Sequence, residues 1–264
     1  MEWEGINRTM DIEKGKQEFE KFANQYDLTF PKMKRKFEHS FRVMENAKNI
    51  AESLNLSNEE TEIATLIGLL HDIGHFEEIK VKDILKEDLR FDHGDLGVEI
   101  LQKNDYIRRY IEEDKYDNII FKAIKNHNKF KIEDGLSEEE LLFSKIIRDA
   151  DKLDILYEGA EMFWTKDEQR DEVNNSIITA EAQNAFIKHI HSDRKDIKTK
   201  VDSIINFIAM MFDIHYKYDF EVIKREDYIN KILNKFDFKD ETTAEQMRQI
   251  RKIANEYVEN KTRL

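Results

Sequence analysis

The chain has 264 residues, 40% of them hydrophobic, with one proline, eight glycines, no cysteine, and 43 basic against 56 acidic side chains for a formal charge of -13. That charge argues against the broad basic footprint that duplex nucleic acid requires. The lack of cysteine excludes disulfides, iron–sulfur clusters and thiolate zinc, so any bound metal must take nitrogen and oxygen ligands.

So few helix breakers in a chain of this length favour long helices on short connections, and an all-α class is expected. The stretch from Met1 to Met10 lacks the apolar core of a signal peptide, and no segment reaches the roughly 20 apolar residues of a membrane span. A cytoplasmic protein with no membrane partner is expected. A first helix is predicted over Asp11 to Asn24. A second opens at Pro31, a residue suited to the first helical turn, and ends near Asn55 with Phe37, Phe41, Met44, Ala51 and Leu54 along one side.

Ser57 and Glu60 form a capping-box pattern ahead of Ile63 to Leu70, a run too apolar for a surface helix. It reads as a central buried helix that ends in Leu69-Leu70-His71-Asp72-Ile73-Gly74-His75. Further helices are predicted over His93 to Lys103, Asp105 to Glu113 and Asp117 to Asn126. Ser137 and Glu140 repeat the capping box and open a helix to about Tyr157, ahead of Gly159. An apolar segment around Ile204 to Ile214 and a last amphipathic helix on Met247, Ile250, Ala254 and Tyr257 complete the pattern. With no linker or repeat, the whole chain reads as a single all-α domain.

An imidazole beside a carboxylate at the end of a buried helix offers a divalent metal two ligands from adjacent positions. His39, His71, Asp72, His93, His127 and Asp151 are separated by roughly one or two helix lengths each, so they can converge on one cavity. Taken singly, each has a plainer reading. His39 suits a packing position, His93 a helix N-terminus, and His127 a helix C-terminus stabilised by the dipole. Asp151 competes with Asp149 and Asp154, and position alone does not separate the three.

In this order the residues resemble the HD superfamily of metal-dependent phosphohydrolases, defined by a His, a His-Asp pair and a distant Asp. The resemblance covers Phe30 to Gly159, an HD core of residues 30–159, and leaves residues 160–264 as a C-terminal helical extension. It rests on His39-Ser40, on Leu69 to Gly74, and on Asp149-Ala150-Asp151-Lys152-Leu153-Asp154. It implies His39, His71, Asp72 and Asp151 as metal ligands, with Asp149 and Asp154 as supports. His93 and His127 fall where a two-metal subgroup adds histidines, which implies two ions bridged by Asp72.

Iron or manganese suits such a mixed shell, with nickel, cobalt or magnesium as alternatives. The implied activity is hydrolysis of a phosphomonoester or phosphodiester in a nucleotide or related small metabolite by metal-activated water. Two other readings share the pattern: a diiron oxygenase, and a non-catalytic nucleotide sensor or interaction module. His75 and Lys152 are candidates for proton transfer or phosphate contact, Arg42 for substrate contact, and Glu77 for a supporting role. His189, His191 and His215 read as surface or packing residues, and Met162-Phe163-Trp164 as core before substrate platform. A small phosphorylated substrate is the expected partner, and a homo-oligomer is left open.

Overall fold

Each helix opens where the sequence supplies a cap. In the structure, a computed structural model describing residues 10–85 and 92–263, α1 (Ile12–Ala23) starts from Asp11, whose carboxylate accepts the Lys14 N–H. Of the segment read for a signal sequence, only Met10 lies within the described residues. The Pro31 ring presets the first turn of α2 (Pro31–Ser53), where its missing N–H has no intrahelical partner to lose. Ahead of α3 (Asn58–Leu70), the Ser57 hydroxyl accepts the Glu60 N–H at 3.2 Å while Glu60 accepts the Ser57 N–H at 2.8 Å.

Every residue of α3 from Ile63 to Leu70 is buried. It packs along α2, whose Val43, Met44, Ala47, Ile50 and Ala51 form the facing stripe. Phe19 and Phe22 of α1 close one side, Phe19 stacking on Phe37 and meeting Phe41 and Phe76 edge-on, and Phe22 meeting Phe76 edge-on. The architecture is all-α as expected. Among the described residues there is no sheet, only an isolated bridge between Met10 and Ile111.

After α3 the chain turns at His71 and Asp72 and re-enters a helix, α4 (Ile73–Leu85), which the sequence reading did not anticipate. Gly74 is inside α4 and does not stop a helix. Its missing side chain admits the backbone of α5 (His93–Gln102), since a Cβ would lie 2.2 Å from the His93 carbonyl oxygen.

The helix expected over Asp105 to Glu113 is replaced by 3-10 turns over Lys103–Arg109, with Asn104 and Asp105 both left-handed. Short polar side chains tolerate that conformation, and two in succession break α-helical geometry. Next, α6 (Asp117–Asn126) follows as expected, and α7 (Glu138–Glu161) opens on the predicted Ser137–Glu140 box.

The chain divides into two compact units, Met1–Asp151 and Lys152–Leu264, and this division falls inside α7. The helix runs through Gly159 because a Cβ there would lie 2.4 Å from the Phe207 ring, a packing need and not a break. The second unit comprises the rest of α7 with α8 (Asp167–Asn174), α9 (Ala180–Ile187), α10 (Lys200–Ala209), α11 (Lys217–Arg225), α12 (Tyr228–Leu233) and α13 (Glu241–Arg263). It has its own core of Val201, Ile204, Ile205, Ile208, Phe220 and Ile232, against which α13 lays Met247, Ile250, Ala254 and Val258. No described helix is long and apolar enough to cross a membrane.

Candidate metal centre

Asp72 sits at the turn between α3 and α4, buried, and its two oxygens face different partners. Oδ2 lies 3.5 Å from Nε2 of both His39 and His71. Oδ1 lies 3.5 Å from Nε2 of both His93 and His127. Asp151 completes the first side, with Oδ1 at 3.2 Å from His39 Nε2 and 3.8 Å from His71 Nε2. All six sequence-predicted ligands therefore meet around one carboxylate. The imidazoles form a continuous string in the order His39, His71, His127, His93 and His75, with neighbouring ring centres 4.6 to 5.1 Å apart.

The backbone sets the faces of two of these rings. His71 Nδ1 lies 2.8 Å from the Gly68 carbonyl and His127 Nδ1 lies 2.6 Å from the Ile124 carbonyl. A carbonyl only accepts, so each Nδ1 carries a proton and Nε2 is the ring nitrogen that faces Asp72. His71 is neutral, because complete burial pulls it down to about 3 despite the nearby Asp72 and Asp151 carboxylates. Lone pairs facing carboxylate oxygens at 3.5 Å repel unless a cation lies between them, and this donor set of nitrogen and oxygen fits a divalent ion. His39, His71 and Asp151 bring ligand atoms within 4.8 Å of one another, as do His71, Asp72 and His127, and Asp72, His75 and His93.

One positive charge already reaches the cluster. Lys36, three residues before His39 on α2, places Nζ 2.7 Å from Asp72 Oδ2. Burial would raise the Asp72 carboxyl, but the Lys36 ammonium beside it holds it well below the usual range. Asp151 is likewise held low, its burial outweighed chiefly by the hydrogen bond with His39. Burial works against the Lys36 charge, yet Asp72 and Asp151 raise it overall, so the ammonium persists at neutral pH.

The later histidines are held by helix ends. Asp92 caps α5 by accepting the Gly94 and Asp95 N–H groups at 3.1 Å each, and its Oδ1 also accepts from Asn128 Nδ2 at 3.0 Å. That bond ties the residue before His93 to the residue after His127. Arg148 is buried on α7 and donates to the Asn126 carbonyl at 2.9 Å, the His127 carbonyl at 3.3 Å and the Lys129 carbonyl. A buried guanidinium thus closes the C-terminus of α6, where carbonyls lack helical partners. His93 and His127 do stand at the helix ends their plainer readings gave them, and from there both face Asp72.

Among the remaining candidates, His75 is near the ligands, with Nδ1 2.8 Å from Glu78 Oε2. Glu77 does not turn that way: its Oε2 accepts from the Tyr26 hydroxyl at 3.0 Å. Its neighbour Glu78, buried at 5% exposure, takes the place that the sequence reading assigned to Glu77. The helical phase could have found it, since Glu78 and Lys36 each stand three residues from a cluster histidine on the same helix.

Asp149 is fully buried in the first unit. Lys152 and Asp154 are buried in the second, and Arg42 is half-buried on α2. His189 stacks on Phe212 and Tyr257, while His191 pairs with Asp213 at 2.7 Å. Trp164 is partly buried and packs against Phe207 and Phe236, whereas Met162, read with it as core, is exposed.

The family model of the HD domain matches residues 37–156, which hold all six candidate ligands from His39 to Asp151. The chain carries an HD domain. HD domains bind divalent metals, and the family includes many phosphohydrolases. No curated protein and no solved structure matches the chain.

The neutral buried imidazoles of the HD domain give metal-free protein a defined acid sensitivity. His71 is depressed from an ordinary value of 6.5 to about 3, so between those values the unfolded chain binds a proton that the folded chain refuses. Stability is present above the unfolded value and is lost as pH falls, by about 1.4 kcal/mol per pH unit. His75, lowered mainly by burial, adds in the same sense. Urea unfolding of chelator-treated protein is expected to show a loss of about 2 kcal/mol or more between pH 6.5 and 5. Equal stability at the two values would refute the neutral assignment.

Proposed function

We propose that this chain is a metal-dependent phosphohydrolase that cleaves a phosphomonoester or phosphodiester of a nucleotide or related small metabolite with water. The observation that carries the reading is the division of Asp72, one oxygen toward His39 and His71 and the other toward His93 and His127. That division suits two ions, one held by His39, His71 and Asp151 and the other by His93 and His127, with Asp72 between them. Iron or manganese fits the mixture of imidazole and carboxylate best. When bound, such ions supply an acidified water and a grip on phosphate oxygens.

The protein's own groups do the rest. Backbone carbonyls at Gly68 and Ile124 hold His71 and His127 in the tautomer that turns Nε2 inward. Burial of Asp72 and His71 keeps bulk water from competing for their lone pairs. Lys36 is the cation nearest Asp72, and its flexible ammonium suits a phosphate oxygen once Asp72 is engaged elsewhere.

Metal analysis of untagged protein, followed by a hydrolysis screen of nucleotides, dinucleotides, cyclic dinucleotides and simple phosphate esters in air and under anaerobic conditions, tests the reading. Two ions per chain and oxygen-independent release of phosphate or a phosphomonoester are expected. Turnover that requires dioxygen and reduced iron would replace hydrolysis with oxygenase chemistry. Nucleotide binding with no turnover of any ester would make the chain a sensor.

A further inference from the structure

Glu78 is a buried carboxylate at the back of the metal cluster. One oxygen, Oε1, pairs with Lys82 Nζ at 2.8 Å. The other, Oε2, lies between two imidazoles, 2.8 Å from His75 Nδ1 and 3.3 Å from His93 Nδ1, off the axis of a linear hydrogen bond to either. The two rings are nearly perpendicular, with centres 4.6 Å apart. On the opposite side of its ring, His93 presents Nε2 to Asp72 Oδ1 at 3.5 Å. His75 stands in the same relation to Glu78 and can bring a ligand atom within 4.8 Å of those of Asp72 and His93.

An anionic carboxylate accepts and cannot donate, so the nitrogen facing it carries the proton and the other nitrogen keeps its lone pair. The Lys82 ammonium 2.8 Å from Oε1 pairs with Glu78 as a carboxylate, and a carboxylate accepts. A carboxylate behind a histidine fixes the tautomer and orientation of a metal-binding imidazole. Here one carboxylate stands behind two.

We propose that Glu78 is a shared positioning residue for the second ion, orienting both His93 and His75 toward Asp72, and that His75 is therefore an additional ligand of that ion and not a substrate contact. This rests on the two-ion reading above. It accounts for His75 and Glu78 being three residues apart on α4, where both side chains face the cluster while Glu77 turns to Tyr26.

Manganese titration of the full metal-stripped chain by calorimetry, with metal content checked by mass spectrometry and the cobalt-loaded protein followed by absorption, tests the proposal. Glu78→Gln and His75→Ala are each expected to bind the first manganese with unchanged affinity and the second about 10–100-fold more weakly, with an altered cobalt spectrum. Two ions at wild-type affinity in both variants would overturn it. Weakening of both ions together with a lowered melting temperature in Glu78→Gln would also overturn it, by making Glu78 merely structural. Weakening in Glu78→Gln with wild-type binding in His75→Ala would overturn the ligand role of His75 alone. A single ion in the unmodified protein would instead overturn the two-ion reading itself.

Discussion

Asp72→Asn is expected to lower hydrolytic turnover at least about a thousandfold, equivalent to about 4 kcal/mol of lost transition-state stabilisation, and to leave fewer than two ions bound. The substitution preserves shape, so the turn between α3 and α4 is retained. It replaces one of two anionic oxygens with an NH2 group that donates and cannot ligate a cation. Whichever way the amide turns, one histidine pair loses its oxygen: His39 with His71 on the Oδ2 side, or His93 with His127 on the Oδ1 side. The same change removes the negative charge that faces Lys36 at 2.7 Å in a site with little access to water, where a less fully compensated charge is costly. Metal content and steady-state turnover measured together decide the matter. Two bound ions and activity within tenfold of the unmodified protein would show that Asp72 does not bridge.

Gly74→Ala is expected to destabilise the first unit by about 3 kcal/mol or more, at the upper end of overpacking costs, and to impair the second ion before the first. A Cβ at this position would lie 2.2 Å from the His93 carbonyl oxygen, 2.5 Å from the Gly97 nitrogen and 3.0 Å from the Gly97 Cα. All three are backbone atoms, so no rotamer change relieves the overlap. The helix α5 must move away from α4 as a body, and His93 is its first residue. The ligands on α2, α3 and α7 are not attached to that movement. Thermal unfolding should fall by about 6–12 °C, with manganese titration showing the weaker site lost first. Gly15→Ala is the control, since its Cβ would meet only Leu66 Cδ1 at an ordinary 3.7 Å. Equal melting temperatures for Gly74→Ala and the unmodified protein would refute the packing argument.

Much of this candidate site is legible in the sequence. The capping boxes at Ser57–Glu60 and Ser137–Glu140 act locally, within one turn, and both helices begin where those residues indicate. The run from Ile63 to Leu70 has no polar face to expose, so its burial followed from composition. The six candidate ligands were visible because histidine and aspartate recur in an order that resembles the HD family, not because periodicity placed them together.

What escaped the sequence reading depended on helical phase and distant backbone. Gly74 and Gly159 look like breaks, yet each lies inside a helix because another element approaches too closely for a side chain. Asn104 and Asp105 interrupt a segment whose composition is otherwise helical. Glu77 and Glu78 are chemically identical neighbours, and only the rotation of α4 about its axis assigns one to Tyr26 and the other to His75 and His93.

The sequence by itself determined the all-α class and the nitrogen-and-oxygen character of any metal centre, since these follow from residue type, and its resemblance to the HD family singled out six candidate ligands. The tertiary structure alone decided which oxygen of Asp72 faces which histidines, that Lys36 supplies the nearby positive charge, that Arg148 closes the helix bearing His127, and that Glu78 stands behind two imidazoles. Those are relations between side chains on different helices or at helix ends, fixed by the directions in which packed helices point their side chains. Directions of that kind are set by the packing of the core, and no residue carries them alone.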